Sequence, residues 1–178
     1  MTKLKHIAAA LALTGATLAA HAADISVAPG PIDLEEGVGL ASRLITGGNS
    51  GNTFADQYTF SLSGVSNVLA DVYSFSGNAK NGLDITGFSL FNAAGNLISA
   101  GSQLSTGKTD QWVLDLGKLA ADNYYLQVSG TVLSQAAGSY TTNLAISAVP
   151  EPATYGMLLG GLAVVGAVAA RRRKQSGE

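Results

Sequence analysis

A chain of 178 residues with no cysteine has neither disulfides nor thiol chemistry available to it. Its formal charge of −2 conceals a split, because Ala23–Ala148 carries ten acidic residues against four basic ones, Arg43, Lys80, Lys108 and Lys118. An acidic stretch with scattered charge offers no basic face to nucleic acid. The only two histidines, His6 and His21, precede that stretch, so it lacks the usual zinc sets, Ser-His or Cys-His pairs and histidine haem ligation.

The N-terminus reads as a secretory signal peptide over residues 1–22. Lys3 and Lys5 precede an apolar run, Ile7–Ala20, and Ala20-His21-Ala22 is a small-x-small cleavage pattern that places the cut between Ala22 and Ala23. Signal peptidase and the export machinery are the partners this implies. The alternative, an uncleaved anchor, fits less well with so short a run.

Ala23–Ala148 is long enough to bury a core of its own. Its first part, Asp24–Asn52, is rich in turn formers, among them Pro29-Gly30-Pro31 and Gly47–Asn52, and predicts an edge strand or two in a mobile lead-in. From Thr53 the sequence alternates, with Phe54, Asp56, Tyr58, Phe60 and Leu62 on one face of a half-buried strand. Asn67–Ser76 is a less regular second strand. Leu83–Asn92 and Leu97–Ala100 fit a hairpin through the four-residue turn Ala93-Ala94-Gly95-Asn96.

Further strands follow around Trp112–Leu116, Tyr124–Val128 and Tyr140–Ile146, with one helical turn conceivable in Asp115–Asp122. Short strands, polar turns and few charges predict an all-β fold, an antiparallel β-sandwich of jelly-roll type. Trp112 is the expected core anchor, and every aromatic of the domain except Tyr125 is expected within or beside the core.

Val149-Pro150-Glu151-Pro152 comes next. The two prolines remove two backbone donors and predict an extended, accessible strip around Glu151. Ala153–Ala170 is uncharged over 18 residues, which as a helix is ~27 Å, just enough to cross a bilayer core. Arg171, Arg172, Arg173 and Lys174 then form a stop-transfer cluster that marks the cytoplasmic side, with membrane lipid as the surrounding medium. Gly156 and Gly160 form a G-x-x-x-G within the run, a spacing that suits close packing of helices.

The ordered tail, Pro150-Glu151-Pro152, apolar run and basic end over residues 149–174, resembles the PEP-CTERM sorting signal of Gram-negative bacteria. The resemblance implies recognition by an exosortase, an integral-membrane cysteine protease or transpeptidase. It also implies transient anchoring in the inner membrane and a final place in the cell envelope, surface or extracellular matrix, with exopolysaccharide or biofilm as the setting. An ordinary anchor that is never cut is the alternative. Phe54-Ala55-Asp56-Gln57-Tyr58 is similar to the Phe-x-Asp-x-Phe motif of a PEP-CTERM subfamily, with Tyr58 in place of the second Phe. Leu119–Gly130, with its Tyr124-Tyr125 pair, resembles a stretch of bacterial pre-peptidase C-terminal domains, which are small β-sandwiches.

Chemistry-bearing candidates are few. Asp56 is the one polar residue on the apolar face of its strand, where an unpaired carboxylate would be costly. It is read either as a calcium ligand or as a cap accepting N–H groups of the Asn49–Asn52 loop, and no D-x-D-x-D-G loop accompanies it. Asp110, Asp115 and Asp122 could pair for acid–base work, but nothing in their spacing brings two of them together. The expectation is therefore a non-enzymatic exported protein without a catalytic residue, cofactor or metal. A carbohydrate- or calcium-binding sandwich module is the alternative, and a secreted hydrolase the third reading.

Overall fold

A computed structural model describes residues 22–150 and 152–175. Residues 1–21, which hold the basic and apolar parts of the expected signal peptide, lie outside the described residues, as does Glu151. In chain order the strands are β1 (Gly30–Pro31), β2 (Val38–Ile45), β3 (Thr53–Leu62), β4 (Ser66–Phe75), β5 (Leu83–Asn92), β6 (Leu97–Ala100), β7 (Ser102–Ser105), β8 (Thr109–Leu119), β9 (Asp122–Val132) and β10 (Gly138–Ala148). A single helix, α1 (Pro152–Gln175), follows them.

The strands form two five-stranded sheets, β1-β3-β9-β5-β6 and β2-β10-β4-β8-β7. All pairings are antiparallel except β1 with β3. Because β3 pairs with β9 while β4 pairs with β8, the β3–β4 arm folds back along the β8–β9 arm, one arm in each sheet. The architecture is a β-sandwich, as the alternation predicts. Its inner faces meet in a core that includes Phe54, Phe60, Val72, Ile85, Phe88, Leu126, Val128 and Leu144.

The lead-in is more structured than its composition suggests. It supplies β1 and the eight-residue β2, each at the edge of a sheet. The segment just after Ala22 lies along β3, where Ala23 O accepts from Thr53 N–H and Ile25 N–H donates to Thr53 O. The predicted hairpin is present. Asn92 Oδ1 accepts from Ala94 and Asn96 N–H at 3.1 and 2.9 Å, and Gly95 takes a φ of 80° that favours glycine there. Asp115–Asp122 holds no helical turn, because β8 runs to Leu119 and β9 starts at Asp122.

Two glycines close the sandwich. Gly101 is the corner at which β6, on one sheet, continues as β7, on the other. A Cβ there would meet Phe88 O at 2.9 Å and Val113 O at 3.0 Å, one from each sheet. Gly130 on β9 leaves room for its cross-strand partner Phe54, whose ring would lie 2.5 Å from an added Cβ.

Several aromatics depart from expectation. Trp112 is half-buried, and its indole N–H donates to Ile85 O at 2.9 Å. Tyr73 and Phe75 are exposed on the outer face of β4. That strand buries Ser66, Val68, Ala70, Val72 and Ser74 instead, so its largest side chains point outward. The place expected for Trp112, the large ring fully enclosed at the centre, is held by Tyr140.

Candidate functional site

Phe54, Asp56 and Tyr58 all lie on the inner face of β3 and all meet Tyr140 of the opposite sheet. The Phe54 ring stacks on Tyr140 with centroids 5.6 Å apart. Asp56 accepts the Tyr140 hydroxyl, and the Tyr58 hydroxyl lies 2.7 Å from it. A phenol has one proton, so Tyr140 donates to the carboxylate and Tyr58 donates to Tyr140. Thus the hydroxyl that distinguishes Tyr58 from a phenylalanine is used. Burial pushes the phenols of both Tyr140 and Tyr58 above the ordinary tyrosine range.

Asp56 is fully buried, and its charge is met by Arg43, which reaches both carboxylate oxygens from β2. Val27 N–H donates a third contact at 3.0 Å. Arg43 also donates to Ile25 O and lies 5.7 Å over the Phe54 ring. The partners of Asp56 are therefore Val27, Arg43 and Tyr140, in place of the expected Asn49–Asn52 loop. A calcium ion at Asp56 would face the Arg43 guanidinium, and among the described residues no three of His, Cys, Asp and Glu cluster as a metal site. The constellation joins the lead-in, β2, β3 and β10, and acts as a polar rivet between the sheets.

Arg43 and Tyr140 were not singled out by sequence. Arg43 sits among Val38, Leu40 and Leu44, which suggest an inward apolar face, yet these three are exposed and Arg43 points inward. The usable signal was that Arg43 is the sole arginine of Ala23–Ala148, opposite a carboxylate placed on an apolar face.

The three aspartates considered for acid–base chemistry are not brought together. Asp110 is buried on the inner face of β8 and accepts from Gly107 N–H at 3.0 Å and Ile85 N–H at 3.4 Å. Burial raises its pKa above the ordinary carboxylate value. Asp115 is exposed on the opposite face of the same strand, and Asp122 is exposed at the start of β9 in the other sheet. The pair Asp110 and Trp112 instead holds both backbone groups of Ile85 across the sheets. This satisfies a stretch of β5 that β6, paired only with Ser89–Phe91, does not reach.

The C-terminal segment leaves the sandwich directly from β10. Val149 N–H donates to Val65 O at 2.9 Å, the last bond to the domain among the described residues, and Pro150 is exposed. Pro152 is the first residue of α1, not part of an extended strip as expected. Its missing N–H is one that a helix leaves unpaired in its first turn anyway, and its φ is already helical. The helix continues to Gln175 and so includes Arg171–Lys174, whose positive charge suits a helix C-terminus. Leu158, Leu159, Leu162, Val164, Val165 and Val168 are all exposed along it.

Residues 148–174 match the model of the PEP-CTERM protein-sorting motif. The chain carries a PEP-CTERM sorting tail. No curated protein matches the chain. Similar solved structures include the pre-peptidase C-terminal domain of a Bacillus anthracis collagenase, at 17% identity and a TM-score of 0.38, covering 71% of this chain and 96% of that one. Another is PliG of Aeromonas hydrophila, a periplasmic inhibitor of g-type lysozyme, at 15% identity and a TM-score of 0.41, covering 70% of this chain and all of that one.

The membrane span expected over Ala153–Ala170 is not shown. Among the described residues no helix is long and apolar enough to cross a membrane. In chain order the PEP-CTERM tail follows the sandwich directly, and α1 begins three residues after Val149, which makes the last hydrogen bond to the domain among the described residues.

Proposed function

We propose that this chain is a non-enzymatic exported protein whose PEP-CTERM tail is read and cut by an exosortase at or near Pro150–Pro152, delivering the sandwich to the cell envelope or extracellular matrix. The observation that carries the reading is the match of residues 148–174 to the sorting motif, immediately after the last strand. The geometry supports it. A protease draws substrate in as extended chain, and Pro150 follows a hydrogen-bonded ladder and precedes the helix that starts at Pro152. The absence of His and Cys from Ala23–Ala148, and the separation of Asp110, Asp115 and Asp122, support a role without catalysis.

In this reading the tail lodges in the inner membrane before it is cut. An apolar helix exposed on all sides is suited to lipid rather than water. A ~27 Å run, at the short end for a bilayer core, is accommodated by local thinning and by interfacial residues, here Tyr155 at one end and the arginines at the other. Export leaves the domain outside and the basic end inside. Cleavage after Ala22 frees Ala23, whose nitrogen already donates to Asn52 Oδ1 at 3.0 Å at the edge of the sandwich.

The test is fractionation of cells producing the chain with and without an exosortase. The account expects a product shortened at its C-terminus in the envelope or medium only when the enzyme is present. A full-length chain in the membrane in both strains would leave the tail as a simple anchor.

A further inference from the structure

The outer faces of the two sheets differ. That of the β2-β10-β4 side exposes Val38, Leu40, Leu44, Leu69, Tyr73 and Phe75. The outer face of the β1-β3-β9-β5 sheet is polar and carries an open groove of about 610 Å³ between the lead-in and β9. One row of cross-strand partners defines it: Pro31 beside Thr59, Thr59 beside Tyr125, and Tyr125 beside Phe91. Pro31 and Tyr125 are two strands apart, or ~9–10 Å along the sheet, with the short Thr59 as the floor between them. With carbon contacts of ~4 Å on either side, that slot holds one flat ring.

Three properties of the groove select its ligand. First, Tyr125 is held in place from behind, because Phe91 stacks on it with centroids 5.0 Å apart and planes within 8°. A ring fixed in this way presents a rigid apolar surface at little entropic cost. Second, polar groups beside it are available. Gln57 uses its amide nitrogen toward Gln127 at a long 3.4 Å, and Asn123 uses its amide oxygen toward Ser61 at 2.6 Å. Gln57 Oε1, Asn123 Nδ2 and the Tyr125 hydroxyl make no hydrogen bond among the described residues, which leaves an acceptor, a donor and a group that can be either. Third, the lining includes no Asp, Glu, Lys, Arg or His. Nothing there selects a charged ligand or compensates one.

We propose that this groove is a binding site for a neutral carbohydrate, one sugar unit stacking its C–H face on Tyr125 while its hydroxyls bond Gln57 and Asn123. The combination of a fixed aromatic wall, unpaired amide groups and absent charge fits a polyhydroxylated ring with an apolar face. Binding in this groove stands apart from processing of the tail, because it is measured on the unprocessed chain.

The experiment is isothermal titration of the full-length chain in detergent with four probes: a β-1,4-glucan hexasaccharide, an α-1,6-mannan oligosaccharide, an oligouronate and a proline-rich peptide. Saturable binding of at least one neutral oligosaccharide is expected, with little dependence on salt. Tyr125→Ala should weaken it at least tenfold, and Tyr125→Phe should retain most of it because the ring remains. Gln57→Ala should weaken it severalfold. Far-UV circular dichroism of each variant checks that the fold persists. Should Tyr125→Ala unfold the chain, Thr59→Leu, which raises the floor of the slot, is expected to weaken binding to a similar degree. No saturable heat with either neutral probe at millimolar concentration overturns the proposal, as does binding of the oligouronate or the peptide alone. Binding that survives loss of the Tyr125 ring, or of the slot in the Thr59 variant, also overturns it.

Discussion

Arg43→Met removes one charge from the buried pair and keeps the length of the side chain, so its consequence tests the constellation directly. In the native protein Asp56 is wholly enclosed, and the Arg43 side chain is 12% exposed. After the substitution the carboxylate keeps Val27 N–H and the Tyr140 hydroxyl, two neutral donors, and has no counter-charge. Breaking a buried pair in this way costs about 3–5 kcal/mol. Loss of the guanidinium over Phe54 adds about 0.5–1 kcal/mol, while methionine retains the packing of the stem. Arg43→Met combined with Asp56→Asn removes both charges, leaves one side-chain oxygen for Val27 N–H and turns an amide NH2 toward the Tyr140 hydroxyl, which can accept from it. The double variant should recover part of the loss, with a coupling of about 2–3 kcal/mol. Urea unfolding followed by far-UV circular dichroism measures the four stabilities of the cycle: wild type, Arg43→Met, Asp56→Asn and the double variant. A cost below about 1 kcal/mol for Arg43→Met, or a double variant equal to the sum of the single ones, would refute the reasoning.

Trp112→Ala should cost about 2–3 kcal/mol, less than a fully enclosed ring, and Trp112→Phe about 1 kcal/mol for the lost bond to Ile85 O; urea unfolding distinguishes the two. Asp110 has a folded-state pKa above its ordinary 3.8, so the folded protein keeps this proton at pH values where the unfolded chain has released it. Its contribution is therefore greatest below 3.8 and is lost as pH rises through the folded value. Asp110→Asn should flatten stability across that window in unfolding titrations, and an unchanged profile would contradict the assignment. Mass spectrometry of exported protein should show Ala23 as the first residue, and an intact Met1 in envelope fractions would contradict cleavage after Ala22.

The alternation from Phe54 to Leu62 gave the inner face of β3 in the correct phase, because all but one of those side chains are apolar and the sheet is polar on its other side. The hairpin at Ala93–Asn96 was readable for a local reason, an asparagine closing the turn through its own side chain and a glycine at positive φ. Phase was hidden at β2 and β4. There the inward residues are small or polar, such as Gly39, Ala41, Ser66 and Ala70, and the large apolar ones point to solvent. Alternation identifies two faces but not which one is covered, and the usual assumption fails on a sheet with an apolar outer surface. The same inversion concealed Arg43 and with it the partner of Asp56. Tyr140 was placed on the last strand by sequence, but its contact with three residues of β3, more than 80 positions away, is a product of sheet stacking that no local pattern encodes. The tail was legible because its proline, apolar and basic parts act through composition and order. Its helix start was not, since Pro152 is compatible both with an extended strip and with the first helical position.

The central claim is that the tail is a processing signal and not merely an anchor. The direct measurement is the intact mass and location of wild type and Glu151→Gln in cells that contain an exosortase. The substitution removes one charge between Pro150 and Pro152 and leaves the apolar run and the basic end unchanged. The account predicts that wild type appears in the envelope or medium without its C-terminal residues, while Glu151→Gln accumulates at full C-terminal length in the membrane fraction. Wild type and variant both remaining at full C-terminal length in that membrane would contradict it.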